Sequence, residues 1–224
     1  MPGTRSRGAP RPAAREARPP RRPRGRPVDL GKRGAIAAAA TRLFLARGFA
    51  GTSLAAVADA AGVSKVTVYA HFGGKEQLFQ AIVRERCESY NRPERFASSA
   101  LLPPREALAL LGRNFLALLL DPEVLRLYRV ISAEAVRRPK VAALFYGAGP
   151  ERAIGLFADY FRGAIARGLL AGRDPERIAD DFLALLKGRL HFRATLSLRP
   201  RPSAAEVEAH VAHAVDVLLR AYAP

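Results

Sequence analysis

Side chains suited to contact with nucleic acid are concentrated in one short stretch of the chain. The stretch supplies hydroxyl, imidazole and ammonium groups from Ser64, Lys65, Thr67, Tyr69, His71 and Lys75. Such groups bind phosphate oxygens and the edges of bases. The residues between them include Val66 and Ala70, which are small enough for a helix to lie deep in a major groove. The stretch therefore indicates binding to double-stranded DNA.

Two short helical patterns joined by a glycine turn position these groups. Ser53 is a candidate N-cap for the first helix, and Gly62 can adopt the left-handed conformation that ends it. The apolar positions of this helix recur at helical spacing and are Leu54, Val57, Ala58 and Ala61.

The second helical pattern runs over residues 64–71 and also starts at a serine. A rotation of about 100° per residue places Val68 and Phe72 on one side and Val66 and Ala70 on the opposite side. The first pair would pack in a core, and the second pair would face outward. Together the two patterns predict a helix-turn-helix.

The segment from Lys32 to Val83 resembles the DNA-binding domain of the TetR family of transcriptional regulators. The resemblance rests on an ordered set: Ala40 to Gly48 with Phe44, Thr52-Ser53-Leu54, Val57-Ala58, Ala61-Gly62-Val63-Ser64, Tyr69-Ala70-His71-Phe72 and Lys75-Glu76-Gln77-Leu78-Phe79. It implies that the residues facing bases are Lys65, Val66, Thr67 and Ala70. It implies that phosphates are held by Thr52, Tyr69, His71 and Lys75, with Ser53 and Ser64 at the helix starts beside them.

Positive charge is concentrated at the start of the chain. The formal net charge is +17, and residues 1–28 hold nine arginines and one glutamate, which gives +8 for that segment. Its Pro- and Arg-rich composition predicts a disordered arm over residues 1–30. Within the arm, the sequence from Pro23 to Pro27 resembles an AT-hook, in which Arg24 and Arg26 would lie along an A·T-rich minor groove. The alternative is a solvated basic arm without base preference.

The rest of the chain has helical signals only. Three helix starts combine a cap with an acidic first turn, at Asp121-Pro122-Glu123, at Asp174-Pro175-Glu176 and at Ser203 to Glu206. No alternation typical of strands is present. We therefore predict an all-α fold with a DNA-binding domain over residues 31–90, which includes a connecting helix, and an effector-binding and dimerisation domain over residues 91–224.

Residues 125–222 resemble the C-terminal domain of the AefR-like subgroup of the same family. This resemblance implies a cavity for a small-molecule effector within the C-terminal helices. Candidate lining residues are Phe115, Leu119, Tyr128, Phe145, Phe157, Phe161, Phe182 and Arg189. Ordinary core packing is the alternative for each apolar residue in this set. Arg189 lies among leucines in the sequence, so it needs a carboxylate, a ligand anion or a route to solvent.

Apolar stripes on the last two helices suggest a homodimer. The helix that starts at Pro175 has two apolar stripes, and a helix of that kind needs two partners. The candidate interface residues are Leu183, Leu190, Val207, Val211 and Leu218. A homodimer would also place two recognition helices on a palindromic operator. The alternative is that both stripes lie in the core of a monomer.

Other classes of protein have weaker support. His210 and His213 are three residues apart on one predicted helix, which alone is a weak metal signal, and the single cysteine, Cys87, has no partner for an internal disulfide. We therefore expect no catalytic residues, no metal and no cofactor. No apolar run reaches the roughly 20 residues needed to span a bilayer, so we expect a soluble, cytoplasmic protein.

Two functions remain open. The first is a sequence-specific transcriptional regulator, a repressor released by a small molecule. The second is an architectural protein that coats DNA largely without sequence preference. The ratio of specific to non-specific affinity separates them, because a regulator needs about 10³ or more and an architectural protein shows a ratio near unity.

Overall fold

The computed structural model describes Gly3 and residues 30–224, and all regular structure in that part of the chain is helical. The helices are α1 (Leu30–Arg47), α2 (Leu54–Ala61), α3 (Lys65–Phe72), α4 (Lys75–Tyr90), α5 (Pro93–Ser99), α6 (Pro104–Leu120), α7 (Pro122–Ala135), α8 (Pro139–Ala148), α9 (Pro150–Ala166), α10 (Pro175–Thr195) and α11 (Ala204–Ala221). The predicted all-α fold is confirmed. We call α1–α4 the head and α5–α11 the body.

The head is built around stacked aromatic rings. The Phe44 ring lies 5.7 Å from the Phe49 ring and 5.5 Å from the Phe79 ring, measured between centroids. The same hydrophobic cluster, which we call the head core, also contains Ile131 of α7 and Val141 of α8. Two helices of the body therefore complete the core of the head.

A second cluster, the body core, lies between α6, α9, α10 and α11. Phe157 of α9 is fully buried at its centre, with the ring of Phe96 5.0 Å away and the ring of Phe115 5.8 Å away. Edge-to-face packing at these distances stabilises a core beyond the simple burial of apolar area. The body core therefore depends on contacts between helices that are far apart in the sequence.

The head and the body meet at the start of α7. Asp121 caps α7 by accepting hydrogen bonds from the backbone N–H groups of Glu123 and Val124 at 2.9 and 3.0 Å. Its carboxylate also accepts hydrogen bonds from Arg86 at 2.9 Å and from the Tyr90 hydroxyl at 2.8 Å, both on α4. Partial burial alone would raise the pKa of Asp121, but these bonds and the Arg86 charge together lower it.

Two features of the fold were not predicted from the sequence. The segment after α4 contains the short helix α5, with Pro93 in its first turn, where proline fits without loss of a hydrogen bond. Helix α10 is interrupted at Gly188, whose φ of 35° lies in the left-handed region. The ring of His210 on α11 fills the interruption, with Nε2 2.9 Å from the Leu186 carbonyl oxygen. A periodic pattern alone cannot reveal such a kink, since it depends on a neighbouring helix.

Among the described residues, none of the helices combines the length and the apolar character needed to cross a bilayer.

Candidate nucleic-acid interface

Serine caps and left-handed glycines define both helices of the helix-turn-helix. Ser53 Oγ accepts a hydrogen bond from the Ala56 N–H at 3.1 Å, and Ser64 Oγ accepts one from the Thr67 N–H at 3.1 Å. Gly62 ends α2 with φ of 66°, and Gly73 ends α3 with φ of 80°. Residues with a Cβ rarely adopt these conformations, so the local sequence fixes the angle between the helices.

Helix α3 presents the outward face that the sequence predicts. Val68 is fully buried and Phe72 nearly so, whereas Val66 is 76% exposed and Tyr69 is 47% exposed. The side chains of Lys65 and Ala70 are also exposed on α3. Thr67 is half-buried, and its hydroxyl lies 2.8 Å from the Ser64 hydroxyl. The outer face is thus small and mildly polar, a shape that fits a major groove.

Two of the predicted phosphate contacts, Thr52 and His71, are at least partly buried within the protein. Thr52 is only 1% exposed, and its hydroxyl donates to the Gly48 carbonyl oxygen at 2.9 Å. His71 is half-buried, and Arg33 donates to its backbone carbonyl at 3.3 Å. The Thr52 side chain therefore shapes the turn before α2 rather than lying at the surface, because a hydroxyl near a chain reversal finds backbone acceptors close by.

Lys75 lies across the loop between α1 and α2. Its Nζ is 4.4 Å from the centroid of the Phe49 ring and 3.5 Å from the Ala50 carbonyl oxygen. Partial burial, followed by the nearby Arg138 charge, lowers the pKa of Lys75, and the Glu134 carboxylate opposes that shift. Lys75 is thus held against the loop between α1 and α2, and its predicted contact with a phosphate stays a prediction.

The predicted effector residues fall into separate groups in the structure. Four of the rings are buried within the body core, and these are Phe115, Phe157, Phe161 and Phe182. Leu119 packs against the same core, while the rings of Tyr128 and Phe145 meet at 6.3 Å between α7 and α8. Arg189 is exposed and reaches solvent. The structure therefore places the four buried rings in packed core, because contacts between α6, α9 and α10 fill the space between them.

Four of the five predicted interface residues are buried within a single protomer. Leu183 is 5% exposed, Leu190 is 3% exposed, and Val211 and Leu218 are each 1% exposed within a single protomer. Val207 is half-buried against the same core. Most residues of the two apolar stripes of α10 therefore pack inside the protomer, against α6, α9 and α11. Leu185 and Leu218 also line an open groove between α10 and α11.

A different apolar surface remains exposed on α10 and α11. Phe192 is 65% exposed and Val217 is 36% exposed. Val217 lines a groove together with Ala184, Leu185 and Gly188 from α10 and His213 from α11. This surface is the candidate contact for a second copy of the chain.

A cleft that the sequence did not predict lies between the start of α7 and the loop from α10 to α11. Its volume is about 410 Å³. The lining residues are Leu120, Pro122, Leu125, Arg126, Arg129, Ala194, Ser197, Leu198, Arg199, Arg201 and Pro202. We call it the arginine cleft. Its arginines come from two distant segments, so no local motif signals them.

Arg24 and Arg26 lie outside the described residues, so their predicted contact with a minor groove stays a prediction. Within residues 30–224, no cluster of three or more His, Cys, Asp or Glu side chains has an arrangement that could hold a metal ion.

These features define a helix-turn-helix DNA-binding protein with a helical body. Residues 36–82 match the family described as bacterial regulatory proteins, tetR family, and residues 106–224 match the AefR-like transcriptional repressor, C-terminal domain. The HTH-type transcriptional regulator BetI of Rhizobium meliloti (strain 1021) is 30% identical over 189 residues, which cover 83% of this chain and 86% of BetI. The chain therefore belongs to the TetR family of transcriptional regulators.

Solved structures agree with this assignment. A TetR-family transcriptional regulator from Mesorhizobium loti MAFF303099 is 33% identical and superposes with a TM-score of 0.73, covering 86% of this chain and 97% of that protein. The flavonoid-responsive regulator FrrA is 33% identical with a TM-score of 0.69, covering 88% of this chain and 99% of FrrA. Because both structures cover more than four fifths of this chain, the similarity includes the head and the body.

Proposed function

We propose that this chain is a homodimeric repressor that binds a palindromic operator through α3 and leaves it when a small molecule binds the body. The observation that carries the proposal is the division of α3 into two faces. Val68 and Phe72 anchor the helix in the head core, and Val66, Tyr69 and Ala70 face outward. A helix held in this way presents short side chains to base edges and a phenol to the flanking phosphates.

The exposed surface of α10 and α11 supports the homodimer. Phe192 on α10 and Val217 on α11 expose apolar area, and a groove lined by Val217 and Leu218 lies between the same two helices. A second copy that packs α10 and α11 against this surface would cover Phe192 and Val217. The resulting two-fold symmetry would place two copies of α3 in successive major grooves.

A small-molecule signal is supported by one relative and by the body itself. FrrA is named as a flavonoid-responsive regulator. The body of this chain contains a cleft of about 410 Å³, which falls within the usual range for small-molecule sites. We further propose that the protein acts in the cytoplasm, where its operator lies.

Binding titrations test the role of α3 directly. Bound sites mapped across the genome would define the operator, and affinities would then be compared on operator and scrambled duplexes at physiological salt. We expect a ratio of about 10³ or more for the wild type. A ratio near unity would favour the architectural alternative.

A matched pair of variants shows whether α3 itself faces the DNA. Ala70→Glu adds a carboxylate to the last turn of α3, and Ala117→Glu adds one to the last turn of α6; both alanines are exposed. Repulsion from phosphates should weaken binding of Ala70→Glu by about tenfold or more on every duplex. Ala117→Glu should bind like the wild type. Equal affinities for the two variants would remove α3 from the interface.

A further inference from the structure

The arginine cleft combines an apolar floor with an excess of positive charge. Leu120 and Leu125 line it from α6 and α7, and Leu198 lines it from the loop between α10 and α11. Its charged lining residues are all arginines, Arg126, Arg129, Arg199 and Arg201. A site of this composition favours a ligand that is apolar along its body and negatively charged at one end.

Three of the four arginines are available to a ligand. Arg129 donates hydrogen bonds to the carbonyl oxygens of Ala194 and Thr195 at 3.3 and 3.1 Å, so it is used to hold the end of α10. Within residues 30–224, Arg126, Arg199 and Arg201 form no ion pair with a carboxylate. Guanidinium groups that surround an apolar cleft without a counter-charge attract an anion from solution.

We propose that the arginine cleft binds an amphipathic anion, with the apolar body against the three leucines and a carboxylate or phosphate group at Arg126, Arg199 and Arg201. Guanidinium groups bind both kinds of anion through paired hydrogen bonds. The site is separate from the aromatic residues of the body core. It adds a ligand class and a location to the proposed ligand-released repressor, so its role as an effector site rests on that function.

Helix α7 connects the cleft to the head. One side of α7 lines the cleft with Leu125 and Arg126. The other side contributes Leu127 and Ile131 to the head core. A ligand that shifts α7 would therefore move residues that pack directly beneath the DNA-binding helices.

The far end of α7 also touches the loop between α1 and α2. A Cβ placed on Gly48 would overlap Glu134 Oε1, so the backbone of the loop lies directly against the Glu134 side chain. The loop also carries Phe49, over which Lys75 of α4 lies. Displacement of α7 would thus reach both α1 and α4 of the head.

Calorimetric titration of the full chain without DNA tests the ligand class. The probes are decanoate, decyl phosphate and the neutral decanamide. We expect both anions to bind about tenfold or more tightly than decanamide, because only they can form charge-assisted hydrogen bonds. The ratio between the two anions shows which head group the cleft prefers. Equal affinity for decanoate and decanamide would overturn the proposal.

A pair of double variants locates the site. Arg126→Gln with Arg201→Gln removes two charges from the cleft, and Arg92→Gln with Arg173→Gln removes two exposed charges elsewhere on the body. The first variant should lose about tenfold or more in affinity for the anion that binds best, and the second should bind it like the wild type. Unchanged binding by the cleft variant would also overturn the proposal, and thermal unfolding of both variants would show that they are folded.

Operator binding separates the ligand site from the proposed function. The anion that binds best should release the wild type from its operator and should fail to release the cleft variant at the same concentration. Binding of the anion with no change in operator affinity would overturn the coupling through α7. A wild type that binds the anion but shows no preference for an operator would support the cleft and overturn the repressor function.

Discussion

The head and the body of this protein place their functional residues in different ways. In the head, anchors and outward-facing residues alternate along the single helix α3, so Val66 and Val68 have opposite roles although they are two positions apart. In the body, the arginine cleft brings Arg126 of α7 beside Arg199 and Arg201 of a distant loop. Local periodicity therefore defines the surface of the head, whereas tertiary packing defines the sites of the body.

The strongest test of this contrast compares a buried and an exposed apolar residue in the body. Val211→Asp places a carboxylate where the side chain is 1% exposed, and the expected loss of folding free energy is about 3–5 kcal/mol. Phe192→Asp changes a residue that is 65% exposed in the protomer, so its cost should be limited to the lost contribution of dimerisation and should be smaller than that of Val211→Asp. Chemical denaturation at fixed protein concentration measures both values.

The same two variants distinguish the core of a protomer from its partner surface. Sedimentation should show a wild-type dimer and a folded Phe192→Asp monomer with reduced operator affinity. A dimeric Phe192→Asp protein would move the interface away from this surface. A stable, monomeric Val211→Asp protein would instead restore the interface predicted from the sequence.

The next largest loss of folding free energy is expected at the contact between head and body, where Asp121 at the start of α7 meets α4. Asp121→Asn removes the charge that pairs with Arg86 and that strengthens the hydrogen bond from the Tyr90 hydroxyl, which should cost about 1–3 kcal/mol. Because the folded-state pKa of Asp121 is lowered, its stabilisation is complete above the pKa of an unfolded carboxyl, near 4, and is lost as the pH falls through the folded value. The stabilities of wild type and variant should therefore converge in acid.

Asp174→Asn is the control for the contact between head and body. Asp174 caps α10 by accepting a hydrogen bond from the Arg177 N–H at 2.9 Å, far from the head. Since asparagine is also a good N-cap, the expected cost is a few tenths of a kcal/mol. If Asp121→Asn were equally mild, the contact between α4 and α7 would not couple the two parts of the molecule.

On α3 of the head, a residue that contacts bases and a residue that contacts phosphates should differ in how their loss affects operator and scrambled duplexes. Val66→Ala shortens an apolar side chain at the outer face and should cost about 1 kcal/mol on the operator and little on a scrambled duplex. Tyr69→Phe removes one hydroxyl and should weaken binding by up to about 1 kcal/mol on both. Titrations on the two duplexes measure each difference. Equal losses for Val66→Ala on both duplexes would exclude it from base reading.

The smallest expected effect concerns the basic arm. Replacing Arg24 and Arg26 with alanine should weaken binding more on operators with A·T flanks than on those with G·C flanks if the arm acts as an AT-hook, because the amino group of guanine obstructs the minor groove. Replacing Arg5 and Arg7 is the control, since it removes the same charge outside the motif. Losses that do not depend on the flanks, in both variants, would favour a basic arm without base preference.

The features that the sequence predicts are local, and those that it does not predict depend on tertiary packing. The caps at Ser53 and Ser64 and the exposure of Val66 were predictable, because each depends on residues within one or two helical turns. The kink at Gly188 was not, because it depends on His210 of another helix. The sequence could show that Phe157 and Phe182 are apolar, but only their 5.7 Å ring contact shows that they pack against each other.

The shared core of the head has a consequence for the order in which the chain folds during synthesis. Helices α1–α4 leave the ribosome first, but the head core also needs Ile131, Val141 and Ala148. Translation adds about 5–20 residues per second, so the last of these residues, Ala148, follows the end of α4 by about 3–12 s. During that interval the nascent head exposes apolar surface that α7 and α8 later cover. The DNA-binding part of this protein is thus completed only after much of the body has been translated.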